Sequence, residues 1–176
     1  MQIHSCRVLC AVGLSWTLAL GGPVLAKTAD EVLVGAAVRE ATLRGLNGPD
    51  RALSQYRGKP LLINVWASWC GPCRMEMGSL ERLAWQTQSR QFAVIGISTD
   101  DSEAAAKAYL RSANATLNHY IDRALEMENM LGANRLPLTV LVDANGRVLG
   151  KYYGAREWDS PQAQKWIAGL IRSAQP

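Results

Sequence analysis

Seven consecutive residues, Leu61-Leu62-Ile63-Asn64-Val65-Trp66-Ala67, are apolar but for Asn64 and run straight into Ser68-Trp69-Cys70-Gly71-Pro72-Cys73. A strand that faces water on one side alternates apolar with polar residues. A run apolar on both faces belongs in the middle of a sheet whose two faces are covered. After Cys73 the period changes to a helical one, with Met77, Leu80, Leu83 and Ala84 on one side and Arg82, Gln86 and Gln88 on others, out to about Arg90. The chain therefore passes from a central buried strand into a helix through two cysteines three residues apart.

The remaining segments fit around that core. Residues 41–46 alternate enough for a strand, Asn47-Gly48-Pro49-Asp50 and Arg57-Gly58-Lys59-Pro60 have turn chemistry, and residues 91–98 form a second buried strand. Asp100, with Glu103 three residues on, has the form of a capping box and opens a helix to about Ser112. A short strand at 118–122 and a helix at 124–131, stopped by Gly132, come next. A strand at 138–143, a turn at Ala144-Asn145-Gly146 and a returning strand at 147–153 make a hairpin, and Ser160-Pro161 opens the last helix. The order β-α-β-α-(β-α)-β-β-α predicts an α/β fold, a mixed sheet with helices on both faces.

Residues 1–26 have the layout of a secretory signal and stand apart from this fold. Arg7 is their one charge, an apolar stretch runs from Val8 to about Leu20, Gly21-Gly22-Pro23 breaks it, and Val24-Leu25-Ala26 ends in small-residue form. Cleavage is expected after Ala26. The alternative is an uncleaved anchor, since residues 8–26 come close to the roughly 20 that span a bilayer, but Gly21, Gly22 and Pro23 argue against it. Removing 26 of 176 residues leaves 150, enough for one domain. The expected organisation is a signal peptide at 1–26, a leader at 27–40, one helical turn or disordered, and the domain at 41–176. Without Arg7 the balance is 18 Lys and Arg against 15 Asp and Glu, with no basic run, which argues against nucleic-acid binding.

Cys6 and Cys10 leave with the signal, and Cys10 stands at the start of the apolar stretch, where lipidation would need it at the end. Cys70 and Cys73 remain. A loop so short constrains an unfolded chain little, so in an exported chain the pair reads as redox-active rather than as a staple. A closed zinc site takes four ligands, and beyond the pair only His119 is on offer, so no metal is expected. His119 reads as a half-buried strand residue. At a helix start, orphan N–H groups and the dipole favour a thiolate, bringing cysteine pKa values to about 3.5–7.5 from about 8.5. Cys70 has that place. Cys73, one turn along, should be less exposed and less acidic, Gly71 permits close approach, and Pro72 sets φ without needing a donor.

Val65-Trp66-Ala67-Ser68-Trp69-Cys70-Gly71-Pro72-Cys73-Arg74 resembles the active-site segment of thioredoxins, and more closely that of the exported TlpA/ResA/DsbE-like thiol:disulfide oxidoreductases. Arg57-Gly58-Lys59, Glu76 and Val142-Asp143-Ala144-Asn145-Gly146-Arg147 support that branch, and the piece between about Asn118 and Leu131 looks like its insertion. The resemblance implies a thioredoxin-like fold and makes Pro137, after Leu136, the cis-proline that faces the disulfide. It also marks departures. Thioredoxins keep a buried aspartate where this chain has Asn64, an amide that cannot take a proton as a base. Glu76 is the candidate to replace it; solvated surface is the alternative. Gly78 stands where relatives have a kink-making proline, Arg135 where glycine is frequent, and Leu138 where threonine is common. Trp66 reads as core packing and Trp69 as packing or active-site rim, with Gly71, Pro72 and Leu136. Arg74 either aids the thiolate or is simply solvated.

The expectation is a periplasmic dithiol reductase, or a membrane-anchored one if the signal stays. Its expected partners are exported proteins with oxidised cysteines, as in cytochrome c maturation or metal-site assembly, and a membrane electron donor of the DsbD/CcdA type. No cofactor beyond the Cys70–Cys73 pair is expected, and the chain is expected to be a monomer. The competing reading is a copper(I) or haem-delivery chaperone that uses both thiols as ligands.

Overall fold

A computed structural model describes residues 30–87 and 92–174. The signal segment, with Cys6 and Cys10, lies outside these residues. All six residues of β3 (Leu61–Trp66) are buried, and its side chains alternate between two cores. Leu61, Ile63 and Val65 enter one apolar cluster; Leu62 and Trp66 enter two clusters on the other face. Parallel to β3 lies β4 (Ala93–Ser98), paired from Leu61 and Ala93 to Trp66 and Ser98. Antiparallel on the other side lies β6 (Leu138–Val142), which sets Asn64 opposite Thr139.

The sheet extends past β4 to β5 (Asn118–Ile121), then β1 (Thr42–Gly45) and β2 (Arg51–Ala52), and past β6 to β7 (Val148–Tyr153). Helix α1 (Gly71–Thr87) and helix α4 (Pro161–Ser173) cover Leu62 with Leu80, Leu83, Ala163 and Ile167. Met77 of α1, with Ala106 and Leu110 of α2 (Glu103–Ser112), covers Trp66. The opposite face is closed by Met127, Met130 and Leu131 of α3 (Glu126–Leu131). Helices on both faces are what a doubly apolar central strand requires. The β5–α3 piece stands where the resemblance puts its insertion, and α1 runs through Gly78 unbroken.

Two expectations need correction, and one pair of elements was not anticipated. Residues 30–40 are neither a helical turn nor disordered but a strap with one reverse turn between Leu33 and Ala36. Val32 N donates to Met130 O at 2.8 Å and Val38 N to Gly146 O at 2.9 Å, while both side chains enter the core. Glu31 completes the strap with a carboxylate oxygen 2.7 Å from Lys151 Nζ. The edge strand β7 has backbone groups to satisfy, and Ala37 bridges to Arg147 just before it. Second, the N-cap of α2 is Ser102, whose hydroxyl accepts from Ala105 N, and not Asp100. Asp100 is buried and has other partners, described below. The unanticipated pair, the two-residue β2 and a short 3-10 helix (Leu53–Tyr56), follows the turn at Asn47-Gly48-Pro49-Asp50, too short to leave a periodic signature.

Candidate active site

The C-terminal end of β3 delivers the cysteines, and a buried carboxylate sets the turn that carries them. Asp100 accepts from Ser68 N at 2.9 Å, Ser68 Oγ at 2.6 Å and Ser98 Oγ at 2.8 Å. The end of β4 thereby holds the residue two before Cys70. Arg74 N donates to Cys70 O at 3.1 Å, so Cys70 takes the capping position of α1. Cys70 and Cys73 form a disulfide, S–S 2.09 Å, and Cys73 N donates to Cys70 Sγ at 3.2 Å. An N–H aimed at this sulfur favours its thiolate once the bond is reduced. Cys73 is the more deeply buried of the two, 1% exposed against 5% for Cys70.

Glu76 lies in the helix three residues after Cys73 and is 2% exposed, which removes the solvated alternative. Oε1 accepts from Asn64 Nδ2 at 2.7 Å; Oε2 accepts from Trp158 Nε1 at 2.9 Å and from Arg156 N at 3.1 Å. Burial pushes this carboxyl up to about 7, against the opposing pull of Trp158, Asn64 and Arg156, which favour the carboxylate. Asn64 Nδ2 also reaches Thr139 Oγ1 at 3.0 Å, tying Glu76 to β6 two residues beyond Pro137. The residue that cannot act as a base therefore orients the one that can.

The Leu136-Pro137 peptide is cis, Pro137 is buried, and half-buried Leu136 packs on the cluster that contains both cysteines. Trp69 is 71% exposed and Trp66 fully buried, which separates rim from core. Gly71 and Pro72, both exposed, line an open depression with Arg74, Met75 and Tyr109, and the Arg74 guanidinium lies 5.5 Å from the Tyr109 ring centre. Arg135 lies over Tyr153, while Leu138 is buried in β6. His119 is in a strand as expected but is wholly rather than half buried. It lies edge-on to Trp66, with Nε2 3.7 Å from Glu81 Oε1, beyond hydrogen-bond reach. Burial holds its pKa below the ordinary value. Among the described residues no three His, Cys, Asp or Glu side chains stand together as metal ligands.

Asp100, Thr139 and Trp158 escaped the sequence reading. The Asp100 signal was real but local; only the parallel pairing of β4 with β3 brings it to Ser68. Trp158 is 82 residues from Glu76 and carries no local signature at all.

Residues 33–167 match the Redoxin family. The chain is 33% identical over 151 residues to the thiol:disulfide interchange protein DsbE of Vibrio cholerae, covering 79% of this chain and 78% of that one. It is 30% identical over 117 residues to the thiol-disulfide oxidoreductase ResA of Geobacillus thermodenitrificans, 66% and 67% of the two chains. Among solved structures, a Chlorobium tepidum chain described as a DsbE thiol:disulfide interchange protein superposes with a TM-score of 0.73 at 24% identity, over 79% of this chain and 98% of that one. That likeness shows the fold, which is thioredoxin-like.

Proposed function

The chain belongs to the Redoxin family as a thiol-disulfide oxidoreductase of the ResA/DsbE type, and from that premise we propose that it is a dithiol reductase of exported proteins. In this reading the reduced protein attacks a substrate disulfide through the Cys70 thiolate. One substrate sulfur leaves as a thiolate, and the other is held in a mixed disulfide. Cys73 then gives its proton to Glu76 and attacks Cys70 Sγ, closing the Cys70–Cys73 bond and releasing the second substrate sulfur with the electron pair. Two electrons pass to the substrate, and a membrane donor of the DsbD/CcdA type restores the dithiol. Trp69, Gly71 and Pro72 form one side of the substrate rim; Leu136 and Pro137 form the other.

The observation that carries the reading is the buried Glu76 carboxyl one helical turn beyond the buried Cys73, with its hydrogen bonds supplied from β3 and from the β7–α4 loop. Export to the periplasm, a monomeric state, and substrates in cytochrome c maturation or metal-site assembly belong to the same proposal. Among the described residues no helix is long and apolar enough to cross a membrane.

Insulin reduction measured beside a copper(I) titration tests the proposal. Reduction of insulin, with a potential against glutathione well below the roughly −120 mV of a strong oxidant, supports it. A potential near that value would reverse the direction, and firm copper binding without disulfide reduction would replace the reductase by a chaperone.

A further inference from the structure

Trp158 lies in the loop between β7 and α4, wholly buried, and the reaction outlined above does not use it. A ring needed only for packing could be phenylalanine. Here the indole N–H is spent on Glu76 Oε2, the oxygen that also receives Arg156 N. The ring is held on several sides. Trp158 N donates to Ser79 Oγ at 3.0 Å, Ser79 Oγ donates to the Glu76 carbonyl at 2.7 Å, and the rings of Tyr152 and Trp166 pack at 5.6 and 6.0 Å.

The other groups around Glu76 come from every neighbouring element. Neutral Asn64 comes from β3, and Thr139 of β6 acts through it. The phenol of Tyr109, on α2, feels the Glu76 charge; Cys73 lies on α1 itself and Cys70 caps its start. The Arg156 guanidinium is drawn off over the Tyr152 ring, 4.8 Å from its centre, so only its backbone N–H bonds to the carboxyl. An indole N–H donates and cannot accept, and it does not titrate in the working range. Two donors occupy Oε2 and one occupies Oε1, which leaves the open lone pair on Oε1.

We propose that Trp158 is a positioning residue for the resolving step: its indole N–H holds Glu76 Oε2 and favours the carboxylate, so that Oε1 receives the Cys73 proton. The inference rests on the reading of Glu76 as the proton acceptor. In the step, the Cys73 S–H proton passes to Oε1, the Cys73 electron pair forms the bond to Cys70 Sγ, and the substrate sulfur leaves with the pair from the mixed disulfide.

An aromatic disulfide probe, 5,5′-dithiobis(2-nitrobenzoate), separates the two steps. The first thionitrobenzoate is released by Cys70 and the second by Cys73. In Trp158→Phe the ring stays and the N–H goes, so the pH midpoint of the second phase should rise by one to two units, about tenfold slower at pH 7, while the first keeps its own pH dependence. Glu76→Gln should lose that midpoint, and adding Trp158→Phe to it should change nothing further. If Glu76→Gln loses the midpoint but Trp158→Phe leaves it in place, the inference fails and the reading of Glu76 stands. If Glu76→Gln leaves the second phase unaltered, the reading itself fails. Should Trp158→Phe not fold, the native protein answers: the Trp158 indole N–H resonance should titrate with the second-phase midpoint and stop doing so in Glu76→Gln. A resonance unmoved between pH 5 and 9 overturns the proposal.

Discussion

Replacing Glu76 with glutamine should flatten a pH dependence of stability that the native protein carries. Its carboxyl rises from 4.5 to about 7 on folding, so the folded state binds this proton more tightly than the unfolded state. The sign is the reverse of that for a salt-bridged acid. Stability from this group is greatest below pH 4.5, falls as pH rises from 4.5 to 7, and is level above 7. A rise of that size corresponds to about 3 kcal/mol at 1.36 kcal/mol per unit, and with 2% exposure solvent screens little of it. Glutamine does not titrate. Urea unfolding of the disulfide-intact proteins, followed by far-UV circular dichroism from pH 4.5 to 8.5, gives the difference between native and Glu76→Gln at each pH. Glu81, His119, Asp122 and Glu128 also carry displaced pKa values, but both proteins share them, so they cancel. The difference should move by about 3 kcal/mol in favour of the variant across that range. Parallel curves would refute the account of Glu76 as a buried titrating acid.

Gly96→Ala should cost about 3 kcal/mol or more in thermal unfolding. An added Cβ would sit 2.1 Å from His119 Nδ1 and 2.9 Å from Trp66 Nε1, both fully buried, and a loss under ~0.5 kcal/mol would show that this interior yields. Asp100→Ala strips the acceptor from Ser68 N, Ser68 Oγ and Ser98 Oγ. It should lower stability by about 1–3 kcal/mol and slow the attack by Cys70, read as the first phase with the aromatic disulfide. Trp69→Ala, at an exposed position, should leave stability within about 0.5 kcal/mol while insulin reduction slows. Equal rates with and without Trp69 would remove it from the substrate rim.

The central strand was legible because Leu61 to Ala67 is apolar on both faces, a pattern that only a covered sheet accommodates. The cysteines' place at the helix start followed from the change of period beside them, and Gly132 and Ser160 stop and start helices as their chemistry dictates. The strap at residues 30–40 was not legible. Its order comes from Met130, Gly146 and Val148, over a hundred residues away in the case of Gly146 and Val148, and not from periodicity of its own. Asp100 was misread for a related reason: a carboxylate near a helix start looks like a cap until the register of β4 against β3 sets it beside Ser68. Glu76 was legible as a candidate. Its burial was not, because the donors that make it tolerable, Asn64, Arg156 and Trp158, come from β3 and from a loop 80 and more residues downstream.

The division of labour between the two cysteines is tested most directly by trapping in the cell. Cys73→Ser removes only the second step, so the mixed disulfide on Cys70 should accumulate as covalent adducts that disappear on reduction, and their identities would name the substrates. Cys70→Ser should give few or none, since Cys73 is the more deeply buried residue. Adducts from Cys70→Ser and none from Cys73→Ser would reverse the roles, and no adducts from either, with both inactive, would contradict exchange through a mixed disulfide.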